Sequence, residues 1–222
     1  MTLLNMASNG LYNYKHSDDG FWRVKLNSHL EVSVPSYTRV ILGEIKNDRR
    51  FFSFYEGLYK NQEASISLKN GDPFMGRMLN YRENVNLVLN LNVSASSKEE
   101  KQIHGILVTP IGNLHCKSWG KDKRDGREII LESMYKIKFP DYPHISSTRY
   151  NSETHLYKVW FGLELLIGSE NITDRYLHFG QTSHGCVSCS GGKLWTSLCE
   201  YLLLSRVRNN FNTVGFLKVN YI

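Results

Sequence analysis

The sequence predicts a mainly β protein with one principal helix near its C-terminus. Three observations predict it. Period-two alternation of apolar and polar residues recurs along the chain, most strictly at Val85, Leu87, Leu89, Leu91 and Val93. The 13 tyrosines and 10 phenylalanines among 222 residues favour strands, where aromatic rings pack well on a pleated surface. Helical spacing is sustained in a single window, Lys193 to Arg208. There Leu194, Leu198, Tyr201, Leu202 and Ser205 share a face, with Gly191-Gly192 ahead and Asn209-Asn210 behind.

In chain order, residues 1–20 read as a loose polar opening. Phe21 to Leu26, Leu30 to Val34 and Tyr37 to Ile45 alternate as strands, and Asn47-Asp48-Arg49-Arg50 signals a turn before the aromatic run Phe51 to Tyr55. Ala64 to Lys69 alternates again, and Asn70-Gly71-Asp72 supplies a hairpin turn. Ile103 to Val108 is a strand leading into Thr109-Pro110-Ile111-Gly112; residues 117–127 read as a charged loop, and Ile129 to Lys138 alternates in part. Pro140 to Thr154, with Tyr142, His144, Arg149 and Tyr150, has the composition of a long exposed loop or substrate lid. Leu156 to Ile167 reads as a buried strand pair, Arg175 to His178 as a short strand, and Val214 to Ile222 as the closing strand.

The formal net charge is +6, from 27 Lys+Arg against 21 Asp+Glu, and the charges are scattered rather than striped. That argues against nucleic-acid binding, which favours a same-sign track with interleaved aromatics. No stretch approaches the ~18 apolar residues of a membrane span. Met1 to Asn9 carries neither a basic n-region nor an apolar core, so no general-secretion signal is expected there.

Reactive groups concentrate in one segment, Leu177-His178-Phe179-Gly180-Gln181-Thr182-Ser183-His184-Gly185-Cys186. A thiol near an imidazole can act as a nucleophile, either as a thiolate–imidazolium pair or with the imidazole as base. Small neighbours let backbone N–H groups approach a substrate carbonyl. Two other readings use the same residues. Cys186-x-x-Cys189 before a helix could be a dithiol redox pair, but no thioredoxin-like pattern precedes it. His178, His184, Cys186 and Cys189 have zinc-ligand chemistry, but only half of the usual knuckle spacing. No metal or cofactor is therefore expected. Cys116, Cys199 and the scattered His104, His115, His144 and His155 are read as structural or solvated, and Cys189 as a packing residue.

Ser183-His184-Gly185-Cys186-Val187, with His178 upstream, resembles the active-site signature of the L,D-transpeptidase (YkuD) family. Thr109-Pro110-Ile111-Gly112-Asn113-Leu114 is similar to that family's Thr-Pro-x-Gly-x-Phe segment. The resemblance implies a β-sandwich or mixed sheet with one main helix after the cysteine. It divides the chain into an N-terminal strand-rich extension, 1–60, and a catalytic domain, 61–222. Cys186 would be the nucleophile, His178 the base, Gly185 and Cys186 the oxyanion donors, and His184 a shaper of the turn. Ser183, Tyr176, Arg175 and Ser188 would contact substrate. The chain departs from the pattern in three places. Only four residues separate His178 from Ser183, Phe179 follows the base where glycine is usual, and Ser188 stands where Arg or Asn is usual. The substrate carboxylate would then need another cation, with Arg175 and Lys193 the candidates.

The activity so implied is acyl transfer or hydrolysis on peptidoglycan stem peptides, in the periplasm or cell wall. Without a secretion signal, delivery by a specialised system such as type VI secretion is the favoured route. An immunity protein that plugs the cleft would then be a partner. Two alternatives stand beside it: a non-catalytic wall- or protein-binding module with a degenerate turn, and a cysteine protease or amidase acting on other peptides.

Overall fold

In a computed structural model, the described residues are 11–14, 17–69, 75–77, 83, 85–92, 102–119, 130–144, 148–166, 175–183 and 185–222. Among these residues the protein is mainly β, with 52% strand and one α-helix. It divides into two compact units, Met1–Tyr81 and Arg82–Ile222.

The first unit is a seven-stranded sheet built from β1 (Leu11–Tyr14), β2 (Phe21–Leu26), β3 (Glu31–Pro35), β4 (Arg39–Lys46), β5 (Arg49–Phe54), β6 (Glu63–Ser67) and β7 (Met75–Arg77). Its spatial order is β3-β2-β6-β5-β4-β1-β7. The predicted Asn47-Asp48 turn joins β4 to β5, with both residues at positive φ (51° and 56°), as a tight hairpin requires. Val24, Leu26, Val34, Val40, Phe52, Phe54, Ala64 and Ile66 form the core. Arg39 and Glu56 make a buried ion pair, Nε to Oε2 3.2 Å, and the Glu56 carboxylate also accepts the Arg39 backbone N–H at 3.1 Å. The unit runs past the expected boundary at residue 60. β6 is hydrogen-bonded between β2 and β5, and β7 pairs with β1, so both belong to this sheet. The predicted Asn70-Gly71-Asp72 turn lies outside the described residues.

The second unit is a closed eight-stranded barrel. Its strands are β8 (Asn86–Asn92), β9 (Gln102–Thr109), β10 (Gly112–Trp119), β11 (Met134–Lys138), β12 (Phe161–Leu165), β13 (Tyr176–Phe179), β14 (Val187–Cys189) and β15 (Thr213–Tyr221). They run in the order β10-β14-β13-β12-β11-β15-β8-β9 and close through the β9–β10 hairpin. Alternation fills the interior with Leu87, Leu89 and Leu91 of β8, facing Leu107, Leu177, Phe161, Val187 and Leu217. Two ladders are parallel, β13–β14 and β15–β8. The second joins residues far apart in sequence, and the Asn220 side-chain amide donates to Asn90 Oδ1 across it at 2.9 Å.

Thr109-Pro110-Ile111-Gly112 forms the turn of the β9–β10 hairpin. The Thr109 hydroxyl donates to the Gly112 carbonyl and accepts the Ile111 N–H at 3.2 Å. The strand β10 that follows was not among the expected elements. Pro140 to Thr154 is also not a free loop. Within it a 3-10 turn spans Thr148–Ser152, and Tyr150 is buried with its ring edge against Phe179 at 5.4 Å.

The helix α1 (Gly192–Leu203) buries Trp195, Leu198, Cys199 and Leu202, with Trp195 against Phe161 and Phe179. Each such buried side chain is worth about 1.5–3 kcal/mol. A Cβ on Gly192 would run into the Glu153 carbonyl, so the close start of this helix requires glycine. It ends five residues before the expected Arg208. Arg206 is fully buried and donates to the Leu203 carbonyl at 2.7 Å and the Ser205 carbonyl at 2.6 Å, taking up acceptors that another helical turn would have used. Its guanidinium lies over the Phe139 ring at 4.0 Å.

Candidate active site

Strands β13 and β14 run side by side in the same direction, with Leu177↔Val187, His178↔Ser188 and Phe179↔Cys189 in register. Parallel neighbours are ordinarily joined by a dozen or more residues, often through a helix. Here the whole return is residues 180–186. That crossover holds the predicted turn, and the residue types explain how it closes so quickly. Gly185 takes φ 104°, a left-handed conformation open to glycine. The Ser183 hydroxyl donates to the Cys186 carbonyl. Gly180 N–H donates to the Cys189 carbonyl at 3.0 Å, extending the ladder, and the Tyr150 hydroxyl accepts the Gln181 N–H at 3.2 Å.

Gln102 of β9, which no sequence signal singles out, clamps the same turn. Its amide donates to the Ser183 carbonyl at 2.8 Å and accepts the Ser183 N–H at 2.9 Å. This reciprocal pair imitates one rung of a β-ladder, with a side chain in place of a strand.

Alternation sends Leu177, Phe179, Val187 and Cys189 into the barrel and leaves His178 and Ser188 together on the opposite face. The His178 ring is fixed on all sides. Nδ1 donates to the Phe179 carbonyl at 2.9 Å, Nε2 lies 3.1 Å from the Ser188 hydroxyl, and Trp160 stacks on the ring at 4.0 Å and 17°. Burial pushes its pKa down to about 4, against the smaller opposing effect of the hydrogen bond to the Phe179 carbonyl and with a lesser electrostatic contribution from His144. His178 is therefore a neutral imidazole at neutral pH, with its proton on Nδ1 and its lone pair on Nε2. In this form the ring can accept a proton at Nε2.

The stack continues outward. His144 lies parallel to Trp160 at 4.7 Å, and Tyr142 stacks on His144 at 4.6 Å. His144 Nε2 meets the Asp141 carboxylate at 3.2 Å, and the hydrogen bonds to His144 and the Tyr142 N–H hold that carboxyl below its usual range, against the opposing effect of burial.

Cys186 is half-buried at the end of the crossover, two residues before Ser188, while Cys116, Cys189 and Cys199 are buried. Cys116 and Cys189 are opposite each other across β10 and β14. Burial, and then the Cys116 thiol beside it, pushes the Cys189 thiol well above its ordinary pKa. Because Cys189 points into the barrel and His178 away from it, the two cannot share a metal. Among the described residues no three His, Cys, Asp or Glu side chains form a metal-binding group.

The remaining expected contacts sort differently. Tyr176 sits half-buried with its ring edge on His144 at 4.6 Å and on Trp160 at 5.6 Å. Ser183 and Ser188 are buried, and their hydroxyls are taken by the Cys186 carbonyl and by His178 and the Thr182 carbonyl. Arg175 is buried too, and its charge acts on the Tyr135 and Tyr221 hydroxyls rather than toward His178. Lys193 is exposed on the first turn of α1. His184 lies outside the described residues. Phe179 packs inside the barrel and offers its carbonyl to His178.

Comparison with known proteins returns no match: no family model, no curated protein and no solved structure is similar to this chain.

Proposed function

We propose that the second unit is a cysteine acyl-transferase of L,D-transpeptidase type acting on peptidoglycan stem peptides. The observation that carries this reading is the neutral His178, whose Nε2 faces the strand that Cys186 opens. Nδ1 is occupied by the Phe179 carbonyl, so Nε2 is the nitrogen left for proton exchange. In the proposed reaction Nε2 takes the Cys186 proton as sulfur bonds to the carbonyl carbon between the third and fourth stem residues. The Gly185 and Cys186 N–H groups face the developing oxyanion. The C–N bond breaks, His178 returns its proton to the departing D-alanine amine, and the thioester passes to water, a D-amino acid or a second stem. His184 shapes the turn. No metal or organic cofactor enters the scheme.

Muropeptide digestion by wild type and Cys186→Ala tests it. Loss of tetrapeptide in the wild-type sample alone is expected, and a pool left intact by both proteins sinks the proposal in favour of a binding module. A second reading comes from the Ser188–His178 contact itself, which would make Ser188 a hydroxyl nucleophile on other peptides or amides. Activity that survives Cys186→Ala and disappears in Ser188→Ala would select it.

Action in the wall further implies delivery to the periplasm, as for a type VI secretion effector with a cognate immunity protein. Toxicity on periplasmic but not cytoplasmic targeting is the corresponding outcome.

A further inference from the structure

The row His178–Ser188 continues onto the next two strands. Lys117 of β10 is the register partner of Ser188, and His104 of β9 is the partner of Lys117. His115 lies two residues before Lys117, on the same face of β10. The three side chains sit on one face of the sheet. They line a cavity of about 60 Å³ together with Ser188, Ser190 and Gly180. That volume admits a group of a few heavy atoms.

The chemistry of the wall is one-sided. Among the described residues it offers an ammonium and two imidazoles, and none that lines it is a carboxylate. Ser190 donates to the His115 carbonyl by both its N–H, at 2.9 Å, and its hydroxyl, at 3.2 Å, which ties the two walls together. A cavity with an ammonium and hydrogen-bonding groups in its walls favours a small anion, bound by charge-assisted hydrogen bonds.

We propose that Lys117, flanked by His104 and His115, is a carboxylate-binding subsite beside His178. Assigning that carboxylate to the terminus of an acyl-donor peptide rests on the acyl-transfer reading; the preference for a carboxylate does not. Lys117 takes the part for which Arg175 and Lys193 were candidates, because it alone of the three lies on the row that contains His178. The subsite would favour peptides ending in a free acid over the same peptides ending in an amide.

The test uses the full chain and two probes, N-acetyl-D-alanine and its neutral amide, with calorimetry and the ring signals of His104 and His115 as readouts. The acid is expected to bind about tenfold more tightly than the amide, the difference made by one charge-assisted contact. It should shift both histidine rings. Lys117→Met, a half-exposed position where folding is readily checked by melting, should erase that preference, and Lys117→Arg should keep it. Equal binding of acid and amide, no binding of either, or a preference that survives Lys117→Met overturns the proposal. Neither probe requires turnover. An intact acid preference with an unchanged muropeptide pool would therefore dismiss the acyl-transfer reading alone.

Discussion

The Ser188 hydroxyl lies 3.1 Å from His178 Nε2 and 2.6 Å from the Thr182 carbonyl, two acceptors for one hydrogen. While His178 is neutral, both contacts cannot be satisfied together. Once Nε2 carries a proton it can donate to the Ser188 oxygen, and the hydroxyl hydrogen is free to remain on Thr182. The hydrogen-bond pattern thus suits the imidazolium, while burial favours the imidazole. If the acyl-transfer reading holds, Ser188 positions the base, and Ser188→Ala should lower kcat more than KM and shift the acidic limb of the pH–rate profile. An unchanged profile would reduce Ser188 to packing.

Stability should fall with acid through His178. Its pKa drops from 6.5 to about 4 on folding, so the unfolded chain binds the extra proton between those values. The stabilisation is complete above pH 6.5 and is lost as pH falls toward about 4, with a full size of about 3 kcal/mol. Urea midpoints measured from pH 7 to pH 4 should decline, and His178→Phe should flatten that decline. A wild-type midpoint constant across this window would contradict the buried neutral ring.

Thiol reactivity should be confined to one site. Cys186 is half-buried, while the other three cysteines are buried and the thiols of Cys189 and Cys199 are pushed up by that burial. A disulfide reagent should titrate one fast thiol in the native protein and four in denaturant. Cys186→Ala should remove the fast phase. Two or more fast thiols would mean that the barrel wall opens readily.

The Gln102 clamp makes two hydrogen bonds to Ser183, and its loss should cost about 1–3 kcal/mol. Gln102→Leu removes both while keeping the bulk of the side chain. If the acyl-transfer reading holds, activity should fall by more than the loss of folded protein explains, because the Cys186 turn loses its anchor. Full activity in a folded Gln102→Leu would show that the turn is held by its own hydrogen bonds.

In the first unit, Glu56→Ala leaves Arg39 buried without its carboxylate and should destabilise that sheet by about 3–5 kcal/mol. Thermal unfolding of the variant measures this directly, and a change under 1 kcal/mol would place the Arg39 charge in contact with water.

Much of the barrel was legible because alternation reports a one-sided environment. Leu87, Leu89 and Leu91 point inward as their spacing implies, and His178 is delivered by a strand as expected. The strands that escaped notice carry little alternation of their own. β10 mixes polar residues with Cys116 and Trp119, and β14 has only three residues, Val187–Cys189. The long Pro140–Thr154 segment looked exposed because its composition is polar, and a few side chains, Tyr150 foremost, anchor it. At the site, the residue types around Cys186 were visible. The partners around them were not, because Gln102, Trp160 and Lys117 come from distant parts of the chain.

The ladder between β8 and β15 has a consequence for synthesis. Asn90 and Asn220 meet although they stand 130 positions apart in the chain, and β15 follows every other strand of the barrel. Such long-range pairing is slow to form and cannot begin until the C-terminal strand is available. The first unit can fold while the rest is still being made, whereas the barrel, and with it the His178–Cys186 crossover, awaits synthesis of β15. The nascent protein would therefore carry an unassembled site until that strand has emerged.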